Sequence, residues 1–258
     1  MKNNLNDHTM DFSTASNGVS VYFKNLEGHL IEHIKKADVV LGCVAWLTSE
    51  PILRALKGKQ VAIVVQKEDF LRPDRDVNRW RQKLQGLYGD LRSDMLRHDI
   101  PGVAELCERA GEDGLSTHRE DNCDDSDAIR CVGNHNADKS PAFPRSHHKF
   151  VVFGKYVPVF QAQDSAETVY PSWGNPHERD EETPGYPPSK VRVLQLYGVW
   201  TGSFNFTANA SASFENAVYL EDKAVVHAFT QEFAQIFTMS EPLDWESQWS
   251  EPEWRIGS

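Results

Sequence analysis

The sequence predicts an α/β fold, and three observations carry that prediction. Apolar runs of strand length, among them VVLGCV, VAIVVQ and HHKFVVF, are bounded by turn residues. Segments with helical spacing alternate with them in the first third of the chain, the pattern of strands and helices packed in layers. At 258 residues, 40% hydrophobic and 25% charged, the chain is long enough for a sizeable core and ordinary for a globular protein.

The elements follow in order. Residues 1–17 are polar and expected to be flexible. VSVYF (19–23) reads as a strand and LEGHLIEHIKKA (26–37) as an amphipathic helix with Leu30, Ile31 and Ile34 on one side. DVVLGCVAW is a buried strand. SEPILRALKGK then gives a short helix, with Ser49 as N-cap, Pro51 in the first turn and Gly58 as the stop. VAIVVQ (61–66) is a second buried strand and DVNRWRQKLQGLY (76–88) a helix. Residues 108–127 are acidic and turn-rich, which predicts a surface loop. AIRCV and HHKFVVF are strands, and VRVLQLYGVW (191–200) resumes the sheet. Residues 155–190, rich in proline and acid beyond 164, are expected to form an exposed insertion that could cover a site. A helix with Phe229, Phe233 and Phe237 at spacings of four follows, the stripe expected to be core. Residues 241–258 form a tail containing Trp245, Trp249 and Trp254.

Charge and cysteine content narrow the function classes. With 27 Lys plus Arg against 38 Asp plus Glu the net charge is −11, so a polyanionic partner must meet a locally basic surface. Arg72, Arg75, Arg79, Arg81 and Lys83 are one such group, more simply read as a solvated helix face with Asp74 and Asp76. Arg145, Lys149 and Lys155 are another. The four cysteines, Cys43, Cys107, Cys123 and Cys131, show no C-x-x-C pair, and free thiols are expected. A zinc site from Cys107, Cys123, Cys131, His118 and His135 has no familiar spacing, so no metal is expected. The start lacks a secretory pattern and no stretch approaches the ~20 apolar residues of a membrane span. A cytoplasmic location without stable membrane insertion is the expectation. Asn205-Phe206-Thr207 and Asn209-Ala210-Ser211 match the N-glycosylation pattern, read as accidental in that context.

Two stretches carry chemistry. In PRSHHKFVVFGK (144–155), a strand would point His147, Lys149 and Val151 one way and His148, Phe150 and Val152 the other. In TGSFNFT (201–207), Gly202 suits a tight turn after which Ser203 and Asn205 present polar groups from one side. Asn205 or Thr207 would cap a short helix through ANASAS. SFEN (213–216) adds Glu215 and Asn216.

Together, H-x-K at 147–149, G-S-x-N at 202–205 and E-N at 215–216 resemble the phospholipase D superfamily, and the wording is most similar to its single-motif, nuclease-like branch. The sharp matches lie at 145–153 and 200–218, within a catalytic domain expected over 18–240. The resemblance implies a mixed sheet flanked by helices on both faces, with one motif per chain. The sequence departs from the family pattern at Gly154, five residues after Lys149, where the pattern has a mainly supportive aspartate. No acid follows until Asp164.

Cleaving a phosphodiester needs a nucleophile, a proton donor for the leaving oxygen and positive groups on the non-bridging oxygens. Histidine fills the first two roles near neutral pH, and lysine and asparagine the third, without a cofactor. His147 is accordingly the candidate nucleophile, forming a phosphohistidine. Lys149 and Asn205 are expected on the phosphoryl oxygens with Ser203 and Gly202 supporting the same site. Glu215 is expected to fix the tautomer of His147, and Asn216 to be structural. Two histidines are needed and one such motif is present, so a homodimer sharing its active site is expected. The expected activity is metal-independent endonucleolytic cleavage of DNA or RNA. The alternatives are a phospholipase D acting on phosphatidyl lipids, to whose apolar entrance the tail tryptophans could contribute although core packing explains them equally well, and a catalytically impaired nucleic-acid-binding module.

Overall fold

The structure, a computed structural model, describes residues 10–71, 78–95, 99–103, 105–106, 127–133, 145–158, 161, 167–169, 192–243 and 245. Strands β1 (Thr14–Ser16), β2 (Val19–Tyr22), β3 (Val39–Val44), β4 (Gln60–Gln66), β5 (Ile129–Val132), β6 (Lys149–Pro158), β7 (Glu167–Val169), β8 (Arg192–Gly202), β9 (Ala217–Leu220) and β10 (Glu241–Pro242) form one sheet. Among the described residues, helices α1 (Leu26–Lys36), α2 (Glu50–Leu56), α3 (Arg79–Gly89) and α4 (Lys223–Thr238) pack on it. The strand order is β1-β2-β9-β8-β6-β3-β4-β5-β10, with β7 pairing β8 as well. Strands β3, β4 and β5 run parallel, and the remaining pairings are antiparallel. The sheet is mixed, as expected.

Alternation along the central strands divides the core in two. Val40, Val44, Ile63, Val65, Val151 and Phe153 face one apolar cluster, closed by Leu30 and Ile34 of α1, Ile52 and Leu56 of α2 and Leu84 of α3. Leu41, Cys43, Val64, Phe150 and Val152 face the other, closed by Phe233, Ala234 and Phe237 of α4. Helices therefore cover both faces, which is why these strands are apolar on both sides. The phenylalanine stripe is core: Phe233 and Phe237 are buried and Phe229 packs partly buried beside them. Ser49 caps α2, its Oγ accepting from Ile52 N.

Several expectations change in detail. Arg81 is not on a solvated face: it is buried, donates through Nε to the Phe70 carbonyl at 3.2 Å and lies over the Trp245 ring. Arg72 and Arg75 lie outside the described residues. Trp245 packs edge-on to Tyr88, so it is seated on the body of the protein instead of lining an entrance, while Trp249 and Trp254 fall outside the described residues. Of the segment 155–190, residues 155–158 extend β6 and 167–169 pair with β8. Residues 162–166 and 170–190, including the acidic stretch read as a cover, are outside the described residues, as is the loop 108–126. Cys131 is buried and outside any disulfide among the described residues, its Sγ donating to Glu241 Oε1 at 3.7 Å, and no cluster of three metal-ligating side chains occurs among the described residues. Cys107, Cys123, His118 and His135 are outside them. No helix among the described residues is long and apolar enough to cross a membrane.

Candidate active site

Strand registers bring the two motifs to one edge of the sheet. Lys149, the first residue of β6, pairs with Val44 at the end of β3, and Phe150 pairs with Thr201 near the end of β8. Gly202, the last residue of β8, pairs with Ala217, the first of β9. H-x-K, G-S-x-N and E-N thus leave neighbouring strands at the same end. This is also the carboxyl end of the parallel pair β3 and β4, the place where open α/β sheets offer a crevice.

Gly202 is required by a close approach. A Cβ there would lie 2.3 Å from the Asn216 carbonyl oxygen and 2.7 Å from Ala217 Cα, both backbone atoms. Immediately after it, Ser203 N donates to Asn216 O and Asn216 N donates to Ser203 Oγ, each at 3.1 Å. Asn216 therefore holds the turn through its backbone. The Ser203 oxygen accepts in that clasp, which leaves its O–H proton to donate elsewhere. Thr207, not Asn205, caps the following turn of 3₁₀ helix, its Oγ1 accepting from Ala210 N at 3.2 Å.

His147 lies just ahead of β6 instead of within it. The Lys149 side chain folds back on it: Nζ is 3.2 Å from each ring nitrogen and donates to the His147 carbonyl at 2.9 Å. Lys149 is buried although His147 beside it is exposed. Burial holds the Lys149 ammonium below the ordinary lysine range, and the Glu215 carboxylate opposes that shift. Glu215 is thus placed to act on Lys149 by charge, and among the described residues it makes no hydrogen bond to His147. Asn205 turns its Oδ1 inward, where it is enclosed without a hydrogen-bond partner among the described residues. His148 points to the opposite side, pairing with Glu232 of α4 at 3.2 Å and meeting the Phe150 ring edge-on.

Comparison with known proteins adds the following. No family model matches the chain. It is 28% identical over 241 residues to an uncharacterized protein, L381, of Acanthamoeba polyphaga mimivirus, covering 90% of this chain and 70% of that one. Among solved structures it is similar to Nuc, a phospholipase D family member from Salmonella typhimurium, at 16% identity and a TM-score of 0.43, covering 89% of this chain and 99% of that one. NucT from Helicobacter pylori is similar at 12% identity and a TM-score of 0.43, covering 87% and 98%. Neither similarity assigns an activity to this chain.

Three residues at this edge were not singled out in the sequence. Gln66, at the end of β4, accepts the Ser146 N–H at 2.6 Å and so anchors the entry to the motif. The Ser146 hydroxyl is enclosed without a partner among the described residues. Trp46, just past β3, meets the His147 ring edge-on with centroids 6.1 Å apart. The signal available for Gln66 and Trp46 was position: each closes a strand of the parallel pair at its carboxyl end.

Proposed function

We propose that the protein is a metal-independent phosphodiesterase of the phospholipase D type, acting on DNA or RNA through a homodimeric active site. The observation that carries this reading is the folding of Lys149 Nζ onto His147 at the strand end that adjoins the Gly202–Asn205 turn.

In this reading His147 attacks phosphorus through one ring nitrogen, forming a P–N bond as the bond to the leaving oxygen breaks. The partner's His147, protonated, gives its proton to that oxygen. The same ring, now neutral, takes a proton from water, whose oxygen attacks phosphorus and breaks the P–N bond. The products are a phosphomonoester, the freed alcohol and an unmodified His147. Lys149 supplies a full charge to the non-bridging oxygens. Because Asn205 keeps its carbonyl oxygen inside, its NH₂ is the end left to donate, and the Ser203 O–H is a further donor. Glu215 maintains the charge on Lys149.

Gly154 does not weaken this reading. A side chain there would head toward Leu194 and Leu196, 2.6 and 2.9 Å from an added Cβ, in the apolar cluster on the far side of the sheet from Val151 and Phe153. An aspartate at that position would not reach the His147–Lys149 pair.

The test is cleavage of single- and double-stranded DNA, RNA and phosphatidylcholine vesicles in EDTA by the wild type and by His147→Ala, alongside sedimentation to give the oligomeric state. Nucleic-acid cleavage that survives EDTA, fails in the variant by at least about 10³-fold and belongs to a dimer is the expected result. Lipid hydrolysis alone would move the substrate to phosphatidyl groups. Cleavage retained by the variant would remove His147 from the mechanism.

A further inference from the structure

We infer that Trp46 is a base-stacking residue that selects single-stranded nucleic acid at the candidate active site. The inference rests on the phosphodiesterase reading for its location and adds the substrate group recognised there. Segment 45–49 clasps the two motifs together. Ala45 N donates to the His148 carbonyl at 2.8 Å, while Thr48 N and Ser49 N both donate to the Phe206 carbonyl at 2.8 Å. Leu47 bridges Phe206, and the Leu47 carbonyl accepts from the Tyr88 hydroxyl at 2.7 Å.

Side chains alternate along the clasp. Ala45, Leu47 and Ser49 are buried, whereas Trp46 and Thr48 are half-exposed. Trp46 therefore keeps part of its surface open to solvent, between flanking residues held by backbone hydrogen bonds and with its ring edge-on to His147. A flat ring held in place beside the candidate nucleophile is a platform of the size of one nucleobase, and it costs little side-chain entropy to use. An acyl chain needs a contiguous apolar surface. Here Leu47, Phe204 and Phe206 are turned into the core, and Phe214, 60% exposed before Glu215, stands as a single large apolar side chain open to solvent in these segments. Inside a duplex both faces of a base are covered by its stacked neighbours, so a duplex would have to open before a base could stack on Trp46.

The test compares wild type, Trp46→Ala and Trp46→Phe on a single-stranded oligonucleotide, the same strand with an abasic residue at the scissile phosphate, and the duplex. Binding is measured in parallel by anisotropy on His147→Asn and on His147→Asn with Trp46→Ala. The expected result is a KM raised about 5- to 150-fold by Trp46→Ala with kcat within about threefold, largely restored by Trp46→Phe. The abasic strand should be insensitive to the substitution and the duplex a poorer substrate. A kcat that falls equally on intact and abasic strands would overturn stacking and make Trp46 a positioning residue for His147. Unchanged KM and affinity would overturn it too, as would wild-type cleavage of phosphatidylcholine without cleavage of nucleic acid. Strand binding that depends on Trp46 without cleavage of any diester would uphold the inference and instead refute the phosphodiesterase reading.

Discussion

Lys149 shows what burial does to a single catalytic candidate. Its amine lies in a site dry enough to disfavour the charge, and Glu215 is the carboxylate that restores part of it. Removing the Glu215 charge therefore moves the lysine pKa further down, because the opposing influence is gone while burial remains. Glu215→Gln is expected to shift the alkaline limb of the pH–rate profile to lower pH, with a smaller effect at pH 6 than at pH 9. A profile that moves the other way, or not at all, would show that Glu215 acts on something other than Lys149. The sequence had placed Glu215 against His147. Spacing cannot decide between two neighbours two residues apart, and the choice was made by where the return to β9 sets the carboxylate.

At the scale of elements, β6 carries the motif at one end and its own irregularity in the middle. The register with β8 shifts between Phe153 and Gly154, where Phe153 pairs with Gly198 and Gly154 with Leu196. Gly154 also pairs with Val39 and its carbonyl accepts from Asp38 N at 2.9 Å, so it is built into the sheet on both sides. Gly154→Asp would place a carboxylate among Leu194 and Leu196 without a partner. It is expected to cost about 2–4 kcal/mol in urea unfolding and to leave kcat of the folded fraction within about twofold. A gain in activity without loss of stability would show that the position belongs to the site. The helices were more legible than this: Ser49 as cap and the α4 stripe follow from residue type and spacing alone. A bulge leaves no comparable trace, since the residues on either side remain apolar.

For the whole molecule, His33 ties helix α1 to the sheet at its β2–β9–β8 side. Its ring stacks on Tyr219 with centroids 3.8 Å apart, lies near Trp200 and Phe153, and exchanges a hydrogen bond with the Tyr22 hydroxyl at 3.2 Å. Burial, with smaller contributions from the Lys36 and His29 charges, lowers its pKa to about 4. The unfolded chain then binds the extra proton between about pH 6.5 and 4 while the folded chain does not, so stability is fully present above 6.5 and falls as pH drops through that window. After discounting for solvent at a half-buried ring, the loss is about 1–2 kcal/mol. His33→Gln should lower stability at pH 7 but flatten this part of the acid limb in denaturant midpoints at pH 7 and 5. An unchanged slope would place the acid sensitivity elsewhere.

By itself the sequence determined the α/β class, the strands and helices that build it, the two-sided burial of the central strands and the identity of His147, Lys149, Gly202, Ser203 and Asn205 as candidates. These are legible because apolar periodicity and residue chemistry are local properties. Tertiary structure alone decided that four strand ends converge on one edge, that Lys149 folds back on His147, and that Gly154 faces away from them. It also decided that Trp46 and Gln66 stand beside the motif. Those facts depend on strand order and register, which are set by contacts between residues as far apart as Leu47 and Phe206, and no local pattern encodes them.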